Sequence, residues 1–518
     1  MDPPGFLPDW SDQPRKGKFY EGAESFPLPD TDAAARGSVQ DGLCPTVSQS
    51  RPFTLPLLGA MLQDSYGLVG RRLGIHANKD LDRLPHYVTA GWSRGTASGG
   101  GLYPVSIYWV SGPGGPLGPG VFHYSSQHHA MRKLLAGDVH AEVRAALGDV
   151  AVRTDQFLVL GIKYWQNAFK YNNFSFHAVS MDVGTVIQTW RIWARALGLR
   201  VEPALWFDEQ RLSELLGVAG GDEGIFAVVP LDWQGAAAPD AAGPAPAPGS
   251  PRPTSTVVVG HKDSERSRHV IRFDMLQRMH SATVGTAAQR PAPGALDSAA
   301  ARWPADPGGR RHPLPPPLPL TAGVRHALRG RRSSFGRFDA RRPLSAGHLA
   351  TCLAATAAAS LDSDATRAGA PALTKLYVFV NHVRGIDPGV FEYEPLRRTL
   401  RLLKPGAPGE FLQRTYTMAN YNVEQTGAVV VPTVRVDAVL DAVGDRGYRL
   451  VNAETGALAQ TFYTVAAAME LAAGVALGLD GVAYTEELSL EATGEVPLLI
   501  MMLGQERPGL ADFRFEIA

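Results

Sequence analysis

The 518-residue chain repeats itself. Residues 120–137 read GVFHYSSQHHAMRKLLAG and residues 389–406 read GVFEYEPLRRTLRLLKPG, identical at seven of 18 positions without a gap. Each stretch follows a strand-like run, SIYWV at 106–110 and KLYVFV at 375–380. Further on, FLVLGIKY at 157–164 parallels VVVPTVRV at 429–436. A long amphipathic helix then follows in each half. In the first, Val183, Ile187, Trp190, Ala194 and Leu197 share one face, and both helices are read as ending in ALGL, at 196–199 and 476–479. Chance explains one such match, whereas a collinear series points to duplication. A period of about 270 residues excludes a solenoid, whose units are far shorter. It predicts two α+β domains packed as an intrachain pseudo-dimer, because an isologous interface already fits two copies. A site at such an interface can lose residues from one half and still work.

Composition supplies the boundaries. Residues 235–253 are mostly Ala, Pro and Gly, and 302–320 are Pro-rich. Between them STVVVG (255–260) and HVIRFDMLQRMH (269–280) predict a strand and a short helix. The expected organisation is an N-terminal extension (1–44), a first domain (45–235), a Pro/Ala/Gly-rich linker with short elements (236–320) and a second domain (321–518). Fifty Lys+Arg balance 50 Asp+Glu, which argues against a nucleic-acid binder. Two cysteines, Cys44 and Cys352, exclude a disulfide scaffold and a Cys-based zinc site. No metal site is expected from the histidines either, since His128, His129 and His177 show no ligand spacing. The N-terminus lacks an apolar signal core. The apolar run 464–483 is broken by Glu470, three glycines and Asp480, so it reads as a buried helix rather than a membrane span. A cytoplasmic protein without membrane partners is expected.

Three short segments carry chemistry. Ser98-Gly99-Gly100-Gly101-Leu102-Tyr103-Pro104 precedes the 106–110 strand, and its glycines let backbone N–H groups approach a flat ring or an anion. Arg331-Arg332-Ser333-Ser334-Phe335-Gly336-Arg337-Phe338-Asp339 sets arginines beside a hydroxyl, a combination suited to phosphate. Lys170-Tyr171 stands shortly before the first long helix. Taken alone, these read as a flexible loop, a basic turn and surface decoration. No GxGxxG opens a helix after a strand, so a Rossmann site is not expected.

Together the three resemble a known family. SGGGLYPxxxYWV resembles the flavin loop of SagB-type dehydrogenases, in the FMN-dependent nitroreductase superfamily. Arg332-x-Ser334-x-Gly336-x-Phe338-Asp339 resembles the superfamily's FMN-phosphate motif. The family usually has a basic residue where Gly336 stands, and either Arg331 or Arg337 could substitute. Lys170-Tyr171, with the following Asp182-x-Gly184, resembles the pair presumed to be the catalytic base of azoline dehydrogenases.

What the resemblance implies is specific. The fold would be two nitroreductase-like domains in tandem, the second degenerate. FMN would lie between the halves, held by Ser98, Gly99, Gly100 and Gly101 from the first and Arg331, Arg332, Ser334 and Arg337 from the second. The opposite, pseudo-symmetric site retains neither motif, because the ungapped register puts RAGAPAL (367–373) opposite Ser98–Pro104, and only SQSRPFTLP (48–56) stands where the arginine motif is expected. Two helix registers, eight residues apart, place Ala442-Val443 or Leu450-Val451 opposite Lys170-Tyr171. The implied activity is oxidation of peptide thiazolines or oxazolines to azoles, with Lys170 as base and Tyr171 orienting it or donating to the ring nitrogen. Implied partners are an azoline-bearing precursor peptide, a cyclodehydratase, and dioxygen as electron acceptor. Two other readings stand beside it: an FMN/NAD(P)H oxidoreductase acting on a small molecule, and a non-catalytic scaffold of a peptide-modifying complex.

Overall fold

Valine, isoleucine and aromatic residues dominate the runs at 105–111 and 374–380, and each run becomes the middle strand of an antiparallel sheet. The computed structural model describes residues 6–31, 37–44, 51–76, 86–218, 220–233, 257–303, 308–361, 363–366, 369–507 and 512–516. In the first half the strand order is Glu24–Pro27, Ala130–Ala136, Gly120–Ser125, Val105–Ser111, Gln156–Lys163, Glu223–Pro230. In the second it is Arg311–Pro313, Thr399–Pro405, Gly389–Glu394, Thr374–Val380, Ala428–Val434, Ile500–Gly504, Ala472–Ala476. The shared five-strand order is accompanied by shared irregularities. A register shift falls at Val121/Phe122 and again at Val390/Phe391. The hairpin turns place His129 (φ 44°) and Arg398 (φ 51°) in the left-handed region at equivalent positions.

The sheets bury the helices Ser175–Arg195 and Gly447–Ala468 between them. These cross at two glycines. A Cβ on Gly184 would lie 1.9 Å from the carbonyl oxygen of Ala453, and one on Gly456 would lie 2.1 Å from that of Met181. Gly184 and Gly456 are 272 positions apart, as are Met181 and Ala453. The contact is therefore isologous, residue for residue, and it selects the register that sets Ala442-Val443 opposite Lys170-Tyr171.

Several expectations change here. The first long helix is not amphipathic: residues 178–194 are all buried, because one side meets its own sheet and the other meets the partner helix. The second ends at Ala468, so ALGL at 476–479 is not its end. The apolar run 464–483 is the last turn of that helix, the strand Ala472–Ala476 and the start of the helix Gly481–Leu488. Glu470, in the left-handed region at φ 56°, makes the first break. Within 255–260, residues 257–260 form no strand, although Val259 N donates to Leu215 O at 2.9 Å. The predicted short helix is Asp274–Gly285.

Segments outside the two repeats extend each sheet at its edge, and one strand joins the halves. The stretch expected as an extension supplies the edge strand Glu24–Pro27, and the 236–320 stretch supplies Arg311–Pro313. The strand Asp512–Glu516 crosses back to pair with Gly70–His76 of the first half. A buried ion cluster also spans the interface: Glu209 accepts from Arg446 Nη1 at 2.7 Å and Arg449 Nη1 at 2.9 Å. Among the described residues no helix is long and apolar enough to cross a membrane.

Gly184→Ala and Gly456→Ala each push a methyl group into the backbone of the opposing helix. Each should cost about 3 kcal/mol or more, read as a lower denaturant midpoint. An unchanged midpoint would mean the helices do not meet at these glycines.

Candidate functional site

The loop at 94–103 is held from beneath by the first long helix. Ser98 Oγ donates to Asp182 Oδ2 at 2.6 Å, and Gly99 N donates to Asp182 Oδ1 at 2.8 Å. Tyr103 N donates back to Ser98 Oγ at 2.9 Å, which closes the loop on itself. Thr185 Oγ1 donates to Ala97 O at 2.9 Å. Gly100 (φ 61°), Gly101 (φ 65°) and Tyr103 (φ 51°) all occupy the left-handed region, where only glycine sits without strain. The sequence reading used Asp182 only for its spacing. The structure makes it the anchor, while Gly184, two residues on, faces the partner helix. Burial pushes the Asp182 carboxyl up to about 7, against the pull of its Ser98 and Gly99 donors.

Lys170 and Tyr171 end the helix Trp165–Tyr171 and come up against this loop. A Cβ on Gly100 would lie 2.3 Å from Tyr171 Oη and 2.8 Å from Lys170 Nζ. Only a glycine lets the loop pass the pair. Among the described residues Lys170 Nζ has no carboxylate partner; it lies 4.7 Å from the Tyr171 ring centre and 6.0 Å from that of Trp10. Burial holds the Lys170 ammonium below the usual lysine range. Burial, with the Asp182 charge adding to it, pushes the Tyr171 phenol up to about 12. Tyr416 of the second half is pushed to about 12 by burial and then by Tyr171 and Tyr463, so this side of the site is shared.

The arginine motif follows the helix Val324–Gly330. Arg331 commits two of its guanidinium nitrogens to the first-half loop: its Nε donates to Gly95 O at 2.9 Å and its Nη2 to Arg94 O at 3.0 Å, with the guanidinium 5.2 Å from the Tyr463 ring centre. It ties the second-half motif to the first-half loop. Arg332 and Arg337 both pair with Glu506, Arg337 Nε at 3.0 Å from Oε1. Arg507 joins them by donating from Nη2 to Gly336 O at 2.9 Å. Glu506 and Arg507 escaped the sequence reading, for they lie some 170 residues from the motif and no local pattern marks them.

The residues fit an FMN. Ser334 is buried and its Oγ has no hydrogen-bond partner among the described residues. Such an orphan hydroxyl beside Arg332 and Arg337 suits a phosphate, which would share both arginines with Glu506. On the ring side, a Cβ on Gly101 would meet nothing within 4 Å, so the loop is open there.

The pseudo-symmetric position is built differently. Glu454, the counterpart of Asp182, accepts from Leu361 N at 2.6 Å. Arg191, the counterpart of Tyr463, donates to Ser360 O. Asp364 then binds Leu205 N at 2.8 Å, Trp206 N at 3.0 Å and Arg290 Nε at 3.0 Å. Side-chain hydrogen bonds thus tie this loop to both halves. Within the segments compared in the sequence, 367–368 and 48–50 lie outside the described residues.

Asp182→Ala removes the acceptor for two loop donors. Above pH 7, where Asp182 is ionised, FMN affinity should fall by roughly tenfold or more, since bonds to a charged acceptor are worth about 1.5–3 kcal/mol. Asp182→Asn, which keeps one acceptor, should fall less. Equal FMN dissociation constants in all three proteins, measured by flavin fluorescence, would remove Asp182 from the site.

Comparison with known proteins agrees with this architecture. The Nitroreductase family model matches residues 328–505, which begin just before the arginine motif and end beside Glu506. A relative from Methanocaldococcus jannaschii, described as a nitroreductase, is 28% identical over 145 residues, covering 27% of this chain and 68% of the relative. A solved structure assigned as a nitroreductase from Anabaena variabilis is 19% identical, covers 97% of this chain and 96% of its own, and superposes with a TM-score of 0.71. The fold of this chain is therefore nitroreductase-like, and its second half matches the Nitroreductase family.

Proposed function

We propose that the chain is an FMN-dependent oxidoreductase that oxidises azoline rings of a ribosomally made peptide to azoles. The observation that carries this reading is the meeting of Lys170 and Tyr171 with the Gly100 turn, which puts a desolvated lysine, with no carboxylate partner among the described residues, at the face of the loop.

The chemistry asks for two hydrogens from adjacent ring carbons. One is acidic and leaves as a proton; the other leaves with its electron pair, and FMN when bound supplies the acceptor for it. Lys170 Nζ takes the proton. Its depressed pKa raises the fraction present as free amine near neutrality, and no described carboxylate holds it charged. Tyr171, its phenol pushed to about 12, stays protonated and orients Nζ or donates to the ring nitrogen. Ser98 touches Asp182 and Tyr103, so its task is to hold the loop in shape. Ser334, Arg332 and Arg337 hold the phosphate end. The electrons leave to an external oxidant, dioxygen in this proposal, and a cyclodehydratase supplies the azoline.

Lys170→Ala should retain bound flavin and lose azole formation by roughly 10²–10⁴-fold, the usual contribution of a positioned base. In the parent protein, kcat/KM should rise with pH as Lys170 loses its proton, with the midpoint below that of an ordinary lysine. Lys170→Arg should abolish that limb. Azole formation at the parent rate in Lys170→Ala, followed by mass spectrometry of a thiazoline peptide, would overturn the proposal.

A further inference from the structure

The N-terminal segment, expected from the sequence as an extension, lies against the Trp165–Tyr171 helix and is pinned along its length. Asp12 O accepts from Ser267 Oγ at 2.7 Å, and Ser267 Oγ accepts from Trp165 Nε1 at 2.9 Å. Gln166 Nε2 donates to Arg15 O at 3.1 Å. The Trp10 ring meets Phe169 edge-on at 5.3 Å between centres. Two residues beyond Lys16, the Lys18 side chain is buried and donates to Tyr108 Oη at 2.7 Å. Lys16 is thus held in place by its neighbours on both sides, although it is itself partly exposed.

This placement brings Lys16 to the candidate site. Lys16, Tyr66 and Tyr103 line one narrow cleft beside the glycine loop. Arg94 stacks on the same two tyrosines, its guanidinium 4.8 Å from the Tyr66 ring centre and 4.5 Å from that of Tyr103. Arg94 is buried, and its Nε has no hydrogen-bond partner among the described residues. Burial, then the Arg94 charge and then the Lys170 charge hold the Lys16 ammonium below the usual lysine range. Lys16, Arg94 and Lys170 therefore form one cluster of like charge. Among the described residues none of the three has a carboxylate partner. Nearby lysines do: Lys18 pairs with Glu223, and Lys163 with Asp263 and Glu265. The other ionisable groups around Lys170 are Tyr171 on its own helix, Tyr103 on the loop, Asp182 on the long helix and Tyr416 of the second half. Tyr171 and Tyr416 are pushed to about 12 and stay neutral, and Asp182 is engaged with Ser98 and Gly99.

We infer that Lys16 is a positioning residue of the candidate site: its charge, carried in by the N-terminal segment, repels the proton from Lys170 and readies the free amine. The inference rests on the proposed function for the role of Lys170 as base. The physical ground is like-charge repulsion in a partly desolvated space, where two neighbouring amines hold two protons less readily than one. Arginine keeps its charge at any working pH, so it can replace the lysine in this task. Glutamine cannot.

The test follows kcat/KM against pH for the full chain with FMN and a thiazoline peptide. Lys16→Gln keeps most of the side chain and loses the charge. It should move the rising limb to higher pH, lowering kcat/KM by roughly threefold or more below the midpoint. That loss should shrink toward the high-pH plateau. Lys16→Arg should keep the parent limb or move it further down. Asp182 is present in all three proteins, so its own ionisation drops out of the comparison. A limb at the same pH in all three would overturn the inference. So would an equal loss at every pH in Lys16→Gln, which marks a packing role, or a raised KM with an unmoved limb, which marks a contact to substrate. Should the parent protein oxidise no thiazoline peptide, the proposed function fails by itself. Trace acetylation of Lys170 by acetic anhydride, followed across pH by mass spectrometry, then decides. A higher midpoint in Lys16→Gln than in the parent and in Lys16→Arg supports the inference, and one midpoint for all three overturns it.

Discussion

Two buried helices meet at Gly184 and Gly456 with no room for a single methyl group between them. That approach sets the distance between the two sheets and the register of one half against the other. It also determines which residues of each half can share a site. Asp182 lies two positions from the crossing and points to the loop above it; Tyr463, seven positions beyond Gly456, lies under Arg331. A wider crossing would separate the arginine motif from the loop it now touches. Polar groups along the same helices reinforce the geometry across the interface, as where Gln188 donates to Thr461 at 3.0 Å and Gln460 accepts from Ala97 N at 2.9 Å.

The two-fold relation is close in the scaffold and broken in the chemistry. Sheet order, hairpin bulges and helix crossing repeat. The side chains at the candidate site do not. Asp182 is matched by Glu454, Tyr463 by Arg191, and Lys170-Tyr171 by Ala442-Val443. A longer carboxylate and a long cation instead bond the backbone of the 360–361 loop. The two positions related by the helix crossing thus differ: one is tied by side-chain hydrogen bonds, while the other keeps a hydroxyl and a lysine that, among the described residues, have no hydrogen-bond or carboxylate partner, beside an open glycine turn.

Much of this was legible in the sequence, because the repeat and the motifs are local. GVFHY and GVFEY located matching hairpins, and the loop and the Lys-Tyr pair, found separately, proved to be neighbours. Other features depend on contacts between distant segments. The first long helix looked amphipathic, since its apolar face obeys helical spacing, yet its polar face is buried too: Thr189, Gln188 and Arg191 bond within the interface. Arg331 looked like a phosphate ligand by type and spacing, and only the position of Gly95 shows where its donors go. The pairing of Glu506 with Arg332 and Arg337 is equally non-local. The second helix was extended too far because Leu, Ala and Gly continue past Ala468, and composition does not report a chain reversal.

The central claim is one composite cofactor site per chain, assembled from a first-half loop and a second-half arginine motif. Titration of the flavin-free protein with FMN, followed by quenching of flavin fluorescence, tests it most directly. The account predicts saturation at one FMN per chain, with that single site weakened both by Asp182→Ala in the first half and by Arg332→Ala in the second. Saturation at two per chain, or a site indifferent to one of the halves, would contradict it.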